Sequence, residues 1–231
     1  MNRDGNVYTV VYATVMVVLV AVVLAFTSQA LRTQQKKNED IDKMTQILRS
    51  VRVESKAANA EAKYKELIKE AFLVNSKGEK VEGDAFATDL VKEFAAPADQ
   101  RVLPVFVAEV DGQTKYILAM RGAGLWGPLW GYISLDSNKN TVFGTDFSHQ
   151  GETPGLGAEI TKPAFSSQFA GKNIFNAAGE FKSIAIVKPG QYAEGMEYVD
   201  GISGGTITSQ GVNSMLKTSL SDYLGFLENK N

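Results

Sequence analysis

The N-terminal region contains one long apolar run. From Gly5 to Leu31 the chain has no charged residue, and the centre of this stretch reads VVYATVMVVLVAVVLAF. A run of this length is sufficient to cross the roughly 30 Å hydrocarbon core of a bilayer as a helix. The pattern therefore predicts a short tail at residues 1–6 and a transmembrane helix at residues 7–31.

A cleaved signal peptide is the alternative interpretation of this run. The residues SQA at positions 28–30 imitate a small-residue cleavage site. Signal peptides, however, have an apolar region of only about 7–15 residues, which is shorter than the run found here. We therefore favour a retained single-pass anchor in a lipid bilayer.

Residues 32–99 are predicted to form a helical juxtamembrane and connecting region. Up to residue 55 the apolar positions recur at helical spacing; they are Ile41, Met44, Ile47, Leu48 and Val51. A second helix is predicted from Ala57 to Leu73. The turn-rich segment NSKGEKVEGD follows, and no element is assigned from there to Asp99.

The pattern changes to β-strands from Leu103 onwards. Two β-rich runs flank Asp111–Gly112, a dipeptide typical of hairpins. LWGYISLD and TVFGTDFSH continue the series, so about four strands are predicted in meander order. PAFSSQFAG predicts a short helix, SIAIVKPG a strand, and TSQGVNSMLKTSLSDYLGFLEN a terminal helix. These elements predict an α+β fold, in which a transmembrane helix precedes a mixed α/β domain at residues 100–231 with a mainly antiparallel sheet.

Composition narrows the chemistry that is possible. The net charge of −2 and the pI of about 5.6 argue against a general nucleic-acid binder, which needs a basic face. Because there is no cysteine, a thiol nucleophile and a zinc–thiolate site are excluded. His149 is the single histidine, so no multi-histidine metal site can form within the chain. We interpret His149 as structural, since no triad spacing supports a serine or threonine hydrolase.

Glycines and hydroxyl groups are concentrated in VDGISGGTITSQG, at residues 199–211. Thr208 or Ser209 is a natural N-cap for the terminal helix, so Thr206 is predicted to stand just ahead of a helix N-terminus. The free N–H groups and partial positive charge there favour an anion such as phosphate, and the two preceding glycines let the backbone approach it closely. On these features alone, an ordinary glycine-rich loop that ends in a capped helix is the favoured interpretation.

Two further glycine-rich loops carry candidate ligand contacts. HQGETPGLGAEI, at residues 149–160, has Glu152 and Thr153 beside its glycines and can lay its backbone flat against a planar ligand. RGAGLWGPLWGYI, at residues 121–133, places two tryptophans where an indole can stack on a flat ring. An ordinary turn and a core or interface role for the tryptophans are the alternatives.

These motifs carry a specific resemblance. DGISGGT resembles the D-x-x-S/T-G-A/G-T pattern of FMN-binding domains that hold flavin through a phosphoester to threonine, and ETPGLG is similar to the companion loop of that group. The N-terminal run and the block GLWGPLWGYI resemble the C subunit of the sodium-translocating NADH:quinone oxidoreductases, so the likeness spans the chain. The G subunit of Rnf electron-transport complexes shares the first two motifs but lacks that block in this form.

The resemblance implies covalent FMN, with its phosphate esterified to Thr206 Oγ by a flavin transferase that uses FAD and a magnesium ion. Four residues would form the recognition sequence of that enzyme: Asp200, Ser203, Gly204 and Gly205. Gly205 stands where alanine is more usual. Lys188 would lie beside the phosphate or the carbonyl edge of the ring; its alternative is a solvated lysine at a strand end. The implied ring contacts are Trp126, Glu152, Thr153, Leu156 and Gly157.

The implied role is electron relay in a bacterial membrane complex, between one redox centre and the flavin of a neighbouring subunit. NADH would be oxidised elsewhere, because the chain has no G-x-G-x-x-G loop placed between a strand and a helix. The resemblance puts the domain on the periplasmic side of the cytoplasmic membrane. The flanking charges point the other way, with Arg32, Lys36 and Lys37 against Arg3; we follow the resemblance. An Rnf-type flavoprotein subunit and a non-redox anchored ligand-binding module are the alternatives.

Overall fold

The first element of the structure is one long helix. The computed structural model describes residues 5–229, and the chain forms two compact units, Met1–Lys43 and Met44–Asn231. Helix α1 (Asn6–Ser50) is continuous. Its apolar part is long enough and uncharged enough to cross a membrane, and none of it is buried. Residues 1–4 of the predicted tail lie outside the described residues.

Helix α1 ends in a left-handed turn. Arg52 has a φ of 60°, and the N–H of Val53 donates to the carbonyl of Leu48 at 3.0 Å, as in a Schellman motif. The helix therefore stops at Ser50, and the prediction of a helix through residue 55 is wrong beyond that point. The segments predicted as separate membrane and juxtamembrane helices are one element.

An antiparallel sheet of six strands forms the centre of the second unit. Its order is β2–β1–β3–β4–β5–β6, and all neighbouring pairs are antiparallel. The strands are β1 (Ile68–Val74), β2 (Lys80–Val81), β3 (Leu103–Val110), β4 (Gln113–Ala123), β5 (Pro128–Asp136) and β6 (Val142–His149). The predicted α+β fold, with a mainly antiparallel sheet after a long apolar helix, is confirmed.

The hairpin between β3 and β4 turns at the predicted dipeptide. Asp111 has a φ of 51° and Gly112 a φ of 73°, the left-handed pair that a type I′ turn needs. The register follows directly, with Val110 opposite Gln113. The four-stranded meander from β3 to β6 is confirmed as well.

Strand β1 differs from the prediction. The segment predicted as a helix from Ala57 to Leu73 is helical only over α2 (Ala60–Leu67), and then continues as β1. Strand β1 pairs with the edge of β3, which would otherwise present unpaired N–H and C=O groups. Sheet pairing therefore outweighs the helical preference of this segment. Helix α3 (Leu90–Ala95) lies in the stretch that the sequence left unassigned.

A second sheet contains only two strands. Strand β7 (Ile184–Val187) is the one predicted in SIAIVKPG, whereas β8 (Glu197–Asp200) has no counterpart in the prediction. The two strands are parallel, with Val187 opposite Asp200, and the N–H of Gly201 donates to the carbonyl of Val187 at 2.7 Å. The glycine-rich segment that follows β8 is thereby tied to the end of β7.

Helices cover both faces of the six-stranded sheet. The short helix predicted in PAFSSQFAG is α4 (Pro163–Ser166), and the predicted terminal helix is divided into α5 (Thr206–Asp222) and α6 (Leu224–Glu228). One face of the sheet packs on α5 in a cluster that includes Leu118, Met120, Leu129, Val212, Met215 and Leu216. The other face packs on the last turns of α1 in a cluster that includes Ile47, Val51, Phe106, Ile117 and Tyr132.

Tyr223, between α5 and α6, bridges two strands of the sheet. The pairing of β3 with β4 stops at Val105 and Leu118. One step further, the N–H of Ala119 donates to the Tyr223 hydroxyl at 3.2 Å, and that hydroxyl donates to the carbonyl of Pro104 at 3.0 Å. Burial raises the pKa of Tyr223 well above its ordinary value, so the hydroxyl stays protonated.

Replacing Tyr223 with Phe tests this bridge. The change removes only the hydroxyl and leaves two buried backbone groups without a partner. We expect the free energy of unfolding to fall by about 1–3 kcal/mol, measured by urea denaturation of the whole chain in detergent. The matched control is Tyr192→Phe, since that ring is 73% exposed. Its free energy of unfolding should stay within about 0.5 kcal/mol of the unchanged protein's. Equal losses in the two variants would contradict the bridging role.

Candidate functional site

Thr206 is the first residue of α5, and Gly205 occupies the N-cap position. The predicted caps are wrong: Thr208 and Ser209 both lie inside the helix. Their side chains bond elsewhere, because the Thr208 hydroxyl donates to Glu152 Oε2 at 2.5 Å and Ser209 Oγ accepts from the N–H of Ile202 at 2.9 Å. No side chain caps this end of the helix within the described residues.

The first turn of α5 leaves backbone donors available. The first bond of the helix runs from the N–H of Ser209 to the carbonyl of Gly205 at 2.9 Å. In the described part of the chain, the N–H groups of Thr206, Ile207 and Thr208 have no hydrogen-bond partner. The Thr206 side chain is exposed. Free donors and the positive end of the helix dipole give this position the properties of a phosphate site.

Two glycines, Gly204 and Gly205, lie where the segment that precedes α5 packs against the ETPGLG loop. Gly204 has a φ of 76°, and a Cβ there would lie 2.7 Å from a methyl carbon of Leu156. A Cβ on Gly205 would lie 3.2 Å from the backbone nitrogen of Gly157. The left-handed conformation favours glycine at position 204, whereas the contact with Leu156 involves only the end of an exposed side chain.

A cavity of about 210 Å³ adjoins Thr206. It opens between the end of β7 and the segment that follows β8, so Lys188 lines the same cavity as Thr206. Its lining also includes Val187, Pro189, Ile202, Ser203, Gly204 and Gln210. The exposed Lys188 therefore supplies a positive charge to the wall that contains the Thr206 hydroxyl.

Asp200 is held through its backbone by a side chain from a distant segment. The N–H of Asp200 donates to Gln168 Oε1 at 2.9 Å, and Gln168 Nε2 donates to the carbonyl of Asp200 at 3.3 Å. The carboxylate of Asp200 is exposed and does not line the cavity beside Thr206. Gln168 has no signal in the sequence, because its relation to Asp200 exists only in the fold.

Glu152 connects the three glycine-rich loops. Its side chain is only 5% exposed. Oε1 accepts from the N–H of Trp126 at 3.0 Å, and Oε2 accepts from the Thr208 hydroxyl. The N–H of Glu152 donates to Nδ1 of His149 at 3.1 Å, a contact that agrees with the structural interpretation of His149.

The pKa of Glu152 reflects these contacts. Burial alone raises it, but the hydrogen bonds from the Thr208 hydroxyl and from the Trp126 and Leu125 amides lower it. The net effect is a pKa below the ordinary value of a glutamate. Glu152 is thus ionised at neutral pH despite its burial.

Exposed apolar side chains come from the same three loops. They are Leu125, Trp126, Leu156 and Ile207, which are between 42% and 68% exposed. Thr153 is also exposed, and its carbonyl accepts from the N–H groups of Leu156 and Ala158, both at 3.1 Å. Leu125 and Ile207 were not singled out from the sequence, although each adjoins a residue that was.

The site residues proposed from the sequence belong to segments that meet at the start of α5. Glu152, Gly157 and Gly205 are buried there, whereas Lys188, Ser203 and Thr206 are exposed. Thr208 and Ile202 are the contacts that sequence reasoning missed, since their importance depends on partners in other loops. Among the described residues, no group of three or more His, Cys, Asp or Glu side chains is placed to hold a metal ion.

The comparisons with known proteins agree with this geometry. The model of the FMN-binding domain family matches residues 124–221, which include most of the first loop, all of the other two and the start of α5. The fold and the site therefore define the class: this is a protein in which an FMN-binding domain follows a long apolar helix along the chain.

Relatives of known name identify the family more closely. The C subunit of the Na(+)-translocating NADH-quinone reductase of Vibrio vulnificus is 30% identical over 89% of this chain and 87% of the relative. The crystal structure of the corresponding protein from Parabacteroides distasonis is 66% identical, with a TM-score of 0.83 over 87% of this chain and 98% of that chain. The chain belongs to the family formed by the C subunits of Na(+)-translocating NADH-quinone reductases, which confirms the resemblance.

A more distant structure shares the fold. NqrC of Shewanella oneidensis is 24% identical, with a TM-score of 0.71 over 84% of this chain and 98% of that chain. The arrangement of sheet and helices is thus retained at low sequence identity.

Acid unfolding should reveal the low pKa of Glu152. The free carboxyl has a pKa of about 4.3, so the unfolded chain binds the proton more tightly than the folded one. The stabilising contribution is present above that pH and is lost as the pH falls through the folded value. We expect the free energy of unfolding to fall more steeply below about pH 4.3 in the unchanged protein than in Glu152→Gln. Parallel curves from urea denaturation in detergent would rule out this titration.

Proposed function

We propose that this chain carries FMN covalently, through a phosphoester to Thr206 Oγ, and relays electrons between redox centres of a sodium-translocating NADH:quinone oxidoreductase. One observation carries the proposal. The exposed Thr206 hydroxyl stands at the uncapped start of a 17-residue helix, in the wall of a cavity that Lys188 also lines. Family membership supplies the context, since the matched domain family is named for FMN.

The residues around Thr206 fit a phosphate. The backbone N–H groups of the first turn would donate to its oxygens, and the dipole of α5 would favour its negative charge. The ammonium group of Lys188 would add a positive charge from the end of β7.

Attachment requires a flavin transferase with FAD as donor and a magnesium ion. The bond formed joins Thr206 Oγ to the phosphorus on the flavin side of FAD, the bond broken is the pyrophosphate bond, AMP leaves, and the hydroxyl proton is released. Asp200, Ser203 and Gly204 are exposed and therefore accessible to that enzyme. At Gly205 an alanine would require Ile202 to move by a few tenths of an ångström, so glycine makes the turn less crowded.

The apolar side chains beside Thr206 suit the flavin ring. Trp126 and Leu156 are proposed ring contacts, with Thr153 and the backbone of Gly157 beside them. When bound, FMN supplies one- and two-electron redox chemistry, which surrounding hydrogen bonds and charges tune. The chain's own residues would bind the phosphate, orient the ring and exclude water from one of its faces.

Helix α1 is proposed to anchor the chain in the bacterial cytoplasmic membrane, with the FMN-binding domain in the periplasm. Small residues on this helix, Ala13, Thr14 and Ala21, would permit close packing against membrane helices of the other subunits. The Thr14 hydroxyl donates to the carbonyl of Val10 at 2.8 Å, so it adds no unpaired polar group to that surface.

Replacing Thr206 with Leu tests the linkage. The protein is produced together with a flavin transferase, and flavin is read on a denaturing gel by fluorescence and by intact mass. We expect the fluorescent band and the added mass of FMN to be absent in Thr206→Leu, with sodium-dependent quinone reduction by the assembled complex lost. The control is Thr218→Leu, an exposed threonine on the same helix, which should retain both. A flavin-free unchanged protein would instead favour a reversible, non-redox ligand-binding module.

The orientation has a separate test. Fused after the last residue, alkaline phosphatase should be active and a green fluorescent protein that folds only in the cytoplasm should stay dark, because the domain is proposed to be exported. The reverse pattern would place the domain in the cytoplasm, as the count of flanking Lys and Arg residues suggests.

A further inference from the structure

Both carboxylate oxygens of Glu152 are already bonded to protein groups. One accepts from the backbone of the loop that contains Trp126, and the other from the Thr208 hydroxyl in the first turn of α5. The residue itself lies in the third loop, which presents Leu156. A single buried side chain thus joins the three segments on which the proposed flavin site depends.

The backbone packs closely around this carboxylate on two sides. A Cβ added to Gly124 would collide with Oε1, and a Cβ added to Gly157 would collide with both Oε2 and the Thr208 hydroxyl. Gly124 belongs to the loop that contains Trp126, and Gly157 to the loop that contains Glu152 itself. Their backbones enclose the carboxylate closely, so it is fixed in position rather than free to turn towards a ligand.

The loop that contains Trp126 is the turn between β4 and β5, and its backbone also lies against Gly151. Its indole is 68% exposed, so packing of the ring does not order it. The loop closes on itself with a bond from the N–H of Gly124 to the carbonyl of Gly127 at 2.8 Å. Among the residues that the structure describes, the bond to Glu152 connects the backbone of Trp126 to α5, through Thr208.

We propose that Glu152 is a positioning residue, which holds the Trp126 and Leu156 loops against the first turn of α5 so that the flavin ring meets a preformed wall. This proposal rests on the proposed function, and it replaces direct ring contact as the role of Glu152. The group acts through Trp126 and Thr208 and does not itself touch the flavin. Preformed walls of this kind keep a bound group in one orientation.

Another carboxylate in the same loop provides the matched control. Glu159 Oε1 accepts from the N–H of Gly155 at 3.1 Å, so this side chain orders its own loop. The Gln amide oxygen can still accept this bond, so Glu159→Gln should leave the wall intact. Three test variants change the contacts of Glu152. Thr208→Val removes the bond to α5, Glu152→Ala removes every bond that the carboxylate makes, and Glu152→Gln conserves the shape of the side chain. The Gln amide can accept from Trp126 with its oxygen and donate to Thr208 with its nitrogen.

The first measurement uses the whole chain, loaded with flavin by the transferase, in detergent. An indole in contact with a flavin quenches its emission, and a fixed ring shows circular dichroism in the visible region. We expect Glu152→Ala and Thr208→Val to lower the visible dichroism at least about twofold and to lengthen the emission lifetime. Glu152→Gln and Glu159→Gln should retain the original signals. The Glu152→Ala/Thr208→Val double variant should be no worse than Glu152→Ala, because both changes break one connection.

The second measurement needs no flavin. In a Thr206→Leu/Trp130→Phe background Trp126 is the sole tryptophan, and its fluorescence anisotropy reports how firmly the loop is held. We expect anisotropy to fall with Glu152→Ala and Thr208→Val and to stay unchanged with Glu159→Gln. This readout remains valid if the unchanged protein carries no covalent flavin, a result that would overturn the proposed function alone.

One pattern of results would overturn the positioning role of Glu152 itself. If Glu152→Ala and Thr208→Val lower only the unfolding temperature, while the anisotropy of Trp126 and the flavin signals stay as they were, Glu152 contributes to stability without positioning the site. Additive effects of the two changes would equally refute a connection that runs from Trp126 through Glu152 to Thr208.

Discussion

The close contact between α5 and β4 determines where Thr206, the first residue of α5, lies. Gly211 on the helix lies against the backbone of β4, and Gly122 on the strand lies against Met215; a Cβ at either glycine would collide. Two missing side chains thus allow the helix to approach the strand closely. Sliding the helix along the strand would drive side chains into this gap, so the register of α5 is fixed. Its first turn is consequently held beside Glu152, which bonds to Thr208 and to the loop that follows β4.

The start of α5 lacks the side chain that usually completes a helix. A Ser, Thr, Asp or Asn at the N-cap stabilises a helix by about 1 kcal/mol relative to Ala and by about a few tenths of a kcal/mol relative to Gly, and Gly205 occupies this position. A phosphate on Thr206 would satisfy the same donors and add a favourable interaction with the helix dipole. The modified chain would then have the cap that the bare polypeptide lacks, and flavin attachment and helix stability would be coupled.

Features that depend on neighbouring residues could be predicted from the sequence. Features that depend on partners far along the chain could not. The Asp111–Gly112 turn and the meander around it follow from the backbone preferences of two neighbours. Thr206 and Trp126 could be proposed because each lies in a compact motif. The bond between Glu152 and Thr208 joins residues 56 positions apart, and no spacing reveals it. The prediction for strand β1 was wrong for the same reason, since its partner β3 lies beyond a long connection that contains β2 and α3.

The bridge made by Tyr223 has a consequence for the order in which the chain folds. Its hydroxyl bonds to the N–H of Ala119 and to the carbonyl of Pro104, both of which lie more than one hundred residues earlier in the chain. During synthesis, β3 and β4 can pair as soon as they leave the ribosome, because their hairpin is local. The end of that ladder nevertheless stays incomplete until residue 223 has been made. Completion of the sheet is therefore a late event that awaits docking of α5 and α6.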